Sequence, residues 1–168
     1  MNRHVISILV ENQSGVLSRV SGLFSRRGYN IDSLSVGVTE DHRYSRITVV
    51  AFGDDNIIYQ IHKQLEKLLV VLEVTELAPE NSVFRELALI KVSAGAKTRS
   101  EIFSIAEIFR ANVIDVSQNT MTVEMTGDQS KIEAFTQLLI PYGIMEIVRT
   151  GLTGIQRGPD TLKTTKDD

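Results

Sequence analysis

The chain contains no cysteine. Disulfides, thiolate catalysis and cysteine-ligated metals are therefore excluded, and the redox compartment is left open. A dominant charge is also lacking. The formal net charge is −3 over 168 residues, so no global basic field gathers nucleic acid or anionic membrane. Long apolar runs are missing as well. The opening MNRHVISILVENQSG holds an apolar stretch too short for a signal peptide, and no segment approaches membrane-spanning length. The default expectation is a cytoplasmic protein with no membrane partner.

Catalytic patterns are scarce too. There is no G-x-S-x-G, and Ser18, Ser21 and Ser25 fall on the polar side of a helix. The histidines, His4, His42 and His62, lie far apart and lack metal-ligand spacing. Asp54–Asp55 reads as a helix start and Glu40–Asp41 as loop charge. The expectation is no catalytic residue, no metal ligand and no cofactor in this chain. What is present is ordinary: 42% hydrophobic and 23% charged residues, enough to bury a core in one medium domain or two small ones.

Periodicity orders the chain. Val5–Val10 reads as a strand and Val16–Arg27 as a helix. Asn30–Thr39 is an alternating, half-buried strand, and Arg46–Phe52 completes a hairpin with it. Asp54 and Asp55 open a helix with the stripe Ile57, Ile58, Ile61, Leu65 and Leu68, and Val71–Leu77 is a fourth strand. Pro79–Ser82 is a polar link. The pattern then returns: strand Leu87–Val92, a helix capped by Thr98 or Ser100 with the stripe Ile102, Ile105, Ala106 and Phe109, and strands Val113–Val116 and Met121–Met125. A helix opened by Gly127–Asp128 and closed by Pro141 precedes a last strand, Ile144–Val148.

Two βαββαβ units in tandem predict an α+β chain of two ferredoxin-like domains, 1–79 and 80–158, with a disordered tail at 159–168. One face of each sheet would be free of helices. In the first domain, Ile8, Val49 and Leu72 or their neighbours would lie there, covered by the second half or another subunit. Open edge strands offer a route to dimers.

Most of the interest concentrates in Glu11–Asp32, ENQSGVLSRVSGLFSRRGYNID. Val16, Leu17, Val20, Leu23 and Phe24 form one helix face. Gly28 stops the helix, with Arg26 and Arg27 near the negative end of its dipole. At the other end, Asn12-Gln13-Ser14-Gly15 is either a simple cap through Ser14 or Asn12, or a loop whose free N–H groups take a carboxylate or phosphate. The Asn30 side chain is not explained by the helix stop.

SILVENQSGVLSRVSGLFSRRGYNIDSLSV resembles the opening of the small regulatory subunit of acetohydroxyacid synthase (acetolactate synthase), a family that begins with an ACT domain. EIFRANVIDVSQNTMTVEMTG and GLTGIQRG resemble its second domain. The resemblance implies a non-catalytic chain in branched-chain amino-acid biosynthesis. It would bind and activate a large catalytic subunit that uses thiamine diphosphate, magnesium and FAD, and confer feedback inhibition by valine or a related amino acid. It further implies a homodimer through ACT domains, with the effector between them. The site would comprise Asn12, Gly15, Val16 and Leu17 of one protomer and Asn30 and Ile31 of the other. The ligand's carboxylate would meet the N–H groups around Gly15, Val16 and Leu17. Its ammonium would meet Asn12 and Asn30, and its branch Leu17 and Ile31. Rival readings are a free-standing amino-acid-sensing ACT protein and an RNA-binding βαββαβ module. The latter needs exposed aromatics on its third strand, where RITVVAF offers a single one.

Overall fold

The computed structural model describes residues 2–162. It divides into two compact units, one formed by the chain up to Val83 together with residues from Leu152 onward, the other by Phe84–Gly151.

The first unit follows the expected order: β1 (Asn2–Glu11), α1 (Val16–Arg26), β2 (Ile31–Val38), β3 (Tyr44–Gly53), α2 (Asp55–Leu65) and β4 (Val71–Glu76). Its strands pair in the order β2-β3-β1-β4, and all three ladders are antiparallel. The core is the apolar stripe of each helix against one sheet face: Val16, Val20, Leu23 and Phe24 of α1 and Ile58, Ile61 and Leu65 of α2 meet Ile6, Ile8, Ile47 and Val49. Phe24 is fully buried, so truncation to alanine would cost roughly 3–5 kcal/mol. Helix α2 starts where Asp54 accepts a hydrogen bond from the Ile57 N–H at 2.9 Å, an N-cap set by an acidic side chain.

Ile8 and Val49, expected near the helix-free face, point into this core. The face is instead carried by their neighbours, including Ser7, Leu9, Thr48 and Val50, all buried. Residues 152–162 lie along it. Ser35 Oγ donates to the Leu152 carbonyl at 3.2 Å, and the Arg46 guanidinium donates to the Leu162 carbonyl at 3.2 Å. Leu152 and Leu162 are buried. Part of the expected covering therefore comes from this chain's own C-terminal segment.

The second unit repeats the plan with β5 (Ser82–Ser93), α3 (Arg99–Ile108), β6 (Asn112–Val116), β7 (Thr120–Gly127), α4 (Gln129–Leu139) and β8 (Ile144–Arg149), the sheet running β6-β7-β5-β8. Helix α4 is capped by Asp128, which accepts from the Lys131 N–H at 2.9 Å. That bond and the Ser130 hydroxyl hold the Asp128 carboxyl below its ordinary value. Neither expected cap of α3 operates: Thr98 occupies the N-cap position, and no side chain caps the helix.

The domain limits differ from the expected 79/80 boundary and 159–168 tail. A single 3-10 turn, Pro79–Asn81, carries the link directly into β5. Residues 152–158 join the first unit. There a short strand, β9 (Thr153–Gln156), forms, and the Arg157 N–H donates to the Asn81 carbonyl at 2.8 Å. Of the tail expected to be disordered, 159–162 are ordered against Arg46, and 163–168 lie outside the described residues.

Candidate functional site

The loop between β1 and α1 is shaped by Gly15, whose φ of 84° lies in the left-handed region. An L side chain there is strained, although a Cβ would meet nothing within 4 Å. Gly15 is itself the N-cap, and no side chain caps the helix. The cap reading of Ser14 and Asn12 is thereby set aside. The first intrahelical bond runs from the Arg19 N–H to the Gly15 carbonyl at 3.1 Å. The preceding N–H groups carry the positive end of the helix dipole without a side-chain acceptor.

Asn12 does something the sequence did not indicate. Its backbone N–H donates to the Arg43 carbonyl at 2.7 Å, and its Nδ2 donates to the His42 carbonyl at 2.8 Å. The two bonds pin the β2–β3 hairpin turn against the loop and orient the amide, its oxygen left as the acceptor. The turn is stiffened from within. Arg43 forms a two-pronged pair with the Asp41 carboxylate, and its N–H donates to the same group. These contacts, the guanidinium bond first, hold Asp41 below the usual carboxylate range.

The other expected residues sort by exposure. Val16 is buried in the core and offers only its backbone, whereas Leu17 is 44% exposed beside the loop. Ile31 is half-buried against the core, and Asn30 is exposed.

Register decides which of them meet. Glu11, next to Asn12, pairs with Tyr44, whereas Ile31, next to Asn30, pairs with Ala51. Tyr44 and Ala51 lie seven positions apart on β3, about 23 Å at the usual rise of a strand. One chain therefore holds Asn12–Leu17 at one end of its sheet and Asn30–Ile31 at the other. A two-fold partner placed antiparallel along the free edge of β2 would bring one half against the other.

Among the described residues no group of three histidine, aspartate or glutamate side chains is arranged to hold a metal, and no helix is long and apolar enough to cross a membrane.

The fold and this loop define the class: an ACT-type module followed by a second ferredoxin-like unit. Residues 6–73 match the family described as AHAS small subunit-like ACT domain, and residues 85–158 match the family described as small subunit of acetolactate synthase. The acetolactate synthase small subunit of Mycobacterium leprae is 50% identical over 97% of this chain and 96% of its own length. That of Bacillus subtilis is 50% identical over 93% and 91%. The crystal structure of the Thermotoga maritima small subunit superposes with a TM-score of 0.89 at 44% identity, covering 95% of this chain and 100% of that one. The chain belongs to the acetolactate synthase small-subunit family.

Proposed function

We propose that this chain regulates an acetolactate synthase, sensing a branched-chain amino acid at an interface between two copies of its first unit. The carrying observation is the pair of half-sites. An uncapped helix start and an oriented asparagine occupy one end of the sheet, and an exposed asparagine beside a half-buried isoleucine occupies the other. Valine, a zwitterion with an apolar branch, suits the combination. Its carboxylate takes the N–H groups of Val16 and Leu17, where the dipole contributes roughly 0.3–1 kcal/mol. Its ammonium takes the amide oxygens of Asn12 and Asn30, and its branch the exposed Leu17 and Ile31.

A ligand spanning two protomers favours one dimer geometry over another, and a coupling of about 1–3 kcal/mol suffices for feedback inhibition. The catalytic partner is a separate large subunit carrying thiamine diphosphate, magnesium and FAD, and this chain binds and activates it.

Calorimetric titration of the purified chain with valine, leucine and isoleucine, with serine as control, tests the reading. Saturable binding of a branched-chain amino acid that is weakened in Asn12→Ala and in Asn30→Ala is the expected result. An isotherm that neither substitution changes would sink the interfacial site.

A further inference from the structure

A second candidate site lies wholly within the first unit, where the C-terminal segment crosses the helix-free sheet face. A cavity of about 130 Å³, partly open to solvent, lies there. It is lined by Ser7, Arg46, Thr75 and Leu77 of the sheet, by Glu40 of the β2–β3 turn, and by Ile155, Asp160 and Leu162 of the C-terminal segment. Ser7 is 1% exposed, and its hydroxyl has no hydrogen-bond partner among the described residues. Burying a hydroxyl without a partner is unfavourable. Here the group lines a space large enough to receive one.

The lining carries both charges. Arg46 brings a guanidinium that donates to the Leu162 carbonyl, and a guanidinium has further N–H donors for other acceptors. Glu40 and Asp160 bring carboxylates, and Leu77, Ile155 and Leu162 bring apolar surface. A simple anion meets two like charges there and a simple cation meets one. A molecule bearing both signs on a short carbon frame is complementary to the whole lining. At ~10–15 Å³ of such space per water the cavity has room for roughly ten waters, enough for a small amino acid.

We propose that this cavity binds a small α-amino acid, its carboxylate on Arg46, its ammonium between Glu40 and Asp160, and the Ser7 hydroxyl as a further polar contact. The site lies within one protomer and is distinct in position from the interfacial one. Glu40 belongs to the hairpin that Asn12 holds, so occupancy of either site acts on an element shared by both.

The test uses the full chain carrying Asn30→Ala, which weakens the interfacial site and leaves the bonds from Asn12 to the hairpin turn in place. It is titrated calorimetrically with glycine, L-alanine, L-serine and L-valine, with acetate and ethylamine as single-charge controls. The expected result is saturable binding of one amino acid per chain. That binding should weaken about tenfold with the added Ser7→Ala or Arg46→Gln, as loss of one good hydrogen bond would produce, in variants whose circular dichroism matches the parent. No saturable binding at millimolar ligand, binding that both added substitutions leave unchanged, or acetate binding as tightly as alanine would each overturn the assignment. Failure of the interfacial reading looks different: the Asn30→Ala isotherm would then match that of the unsubstituted chain.

Discussion

At the scale of single residues, Gly15 is decided by backbone geometry. Its positive φ explains the glycine without any ligand, while the open space above its Cα keeps the helix start accessible. The two roles can be separated. Asn and Asp tolerate the left-handed region better than other side chains and differ from each other in charge. Gly15→Asp should therefore fold and lose valine binding, because its carboxylate stands where the ligand's own must go. Gly15→Asn should fold equally and retain part of the affinity. Parallel titrations of the two proteins check this, and equal loss in both would assign the effect to shape. Asp128 is a cap of a different kind. Its carboxyl is held below its ordinary 3.8 by the Lys131 N–H, so its contribution to stability is present above that value and is lost as pH falls through the lowered one. Asn accepts the same capping bond but brings no negative charge to the helix start and does not titrate. The stability advantage of the wild type over Asp128→Asn should shrink from about pH 5 downward, measured by urea denaturation at each pH.

Between elements, the most informative contact joins the C-terminal segment to β2. Leu152 is 2% exposed and its carbonyl accepts from Ser35. Leu152→Ala should cost about 2–4 kcal/mol, the usual range for a buried leucine with a partly collapsing cavity. Hydrogen exchange should then report faster opening in β2 and β3, with β6 and β7 unchanged. Faster exchange confined to β6 and β7 would assign the segment to the other unit. Most elements were legible beforehand because stripes and punctuation agreed: Asp54 and Asp128 cap where acids precede apolar periods, and Gly28 stops α1 at a φ of 70°. The exceptions have physical causes. Ile6, Ile8, Leu9 and Val10 are apolar toward both faces, so period two cannot say which side meets the helices. Thr153–Gln156 is four residues without alternation, too short a signal for a strand. In the candidate site, Asn12 and Asn30 stood out by residue type and place in the pattern, but the bond from Asn12 to the His42 carbonyl joins positions thirty apart and leaves no local trace.

For the whole molecule, the separation of Asn12 from Asn30 along the sheet makes a sharp prediction about assembly. Mixing Asn12→Ala chains with Asn30→Ala chains, each defective alone, produces heterodimers in which one site combines two wild-type asparagines. After subunit exchange about one site in four should bind valine again, as random assortment of a two-fold dimer requires. A site closed within one protomer would recover nothing, and calorimetric stoichiometry separates the outcomes.

The return of residues 152–162 to the first unit also sets a timetable for synthesis. The ribosome finishes β1 to β4 long before it emits Leu152, so the sheet face bearing Leu9 and Val50 emerges ahead of the segment that lies along it. Throughout production of the second unit, the nascent first unit carries that face without this cover. Early-emerging apolar surface of this kind is where nascent chains aggregate or recruit chaperones. A fragment cut at the apparent linker near Pro79 would remain permanently in that half-made condition.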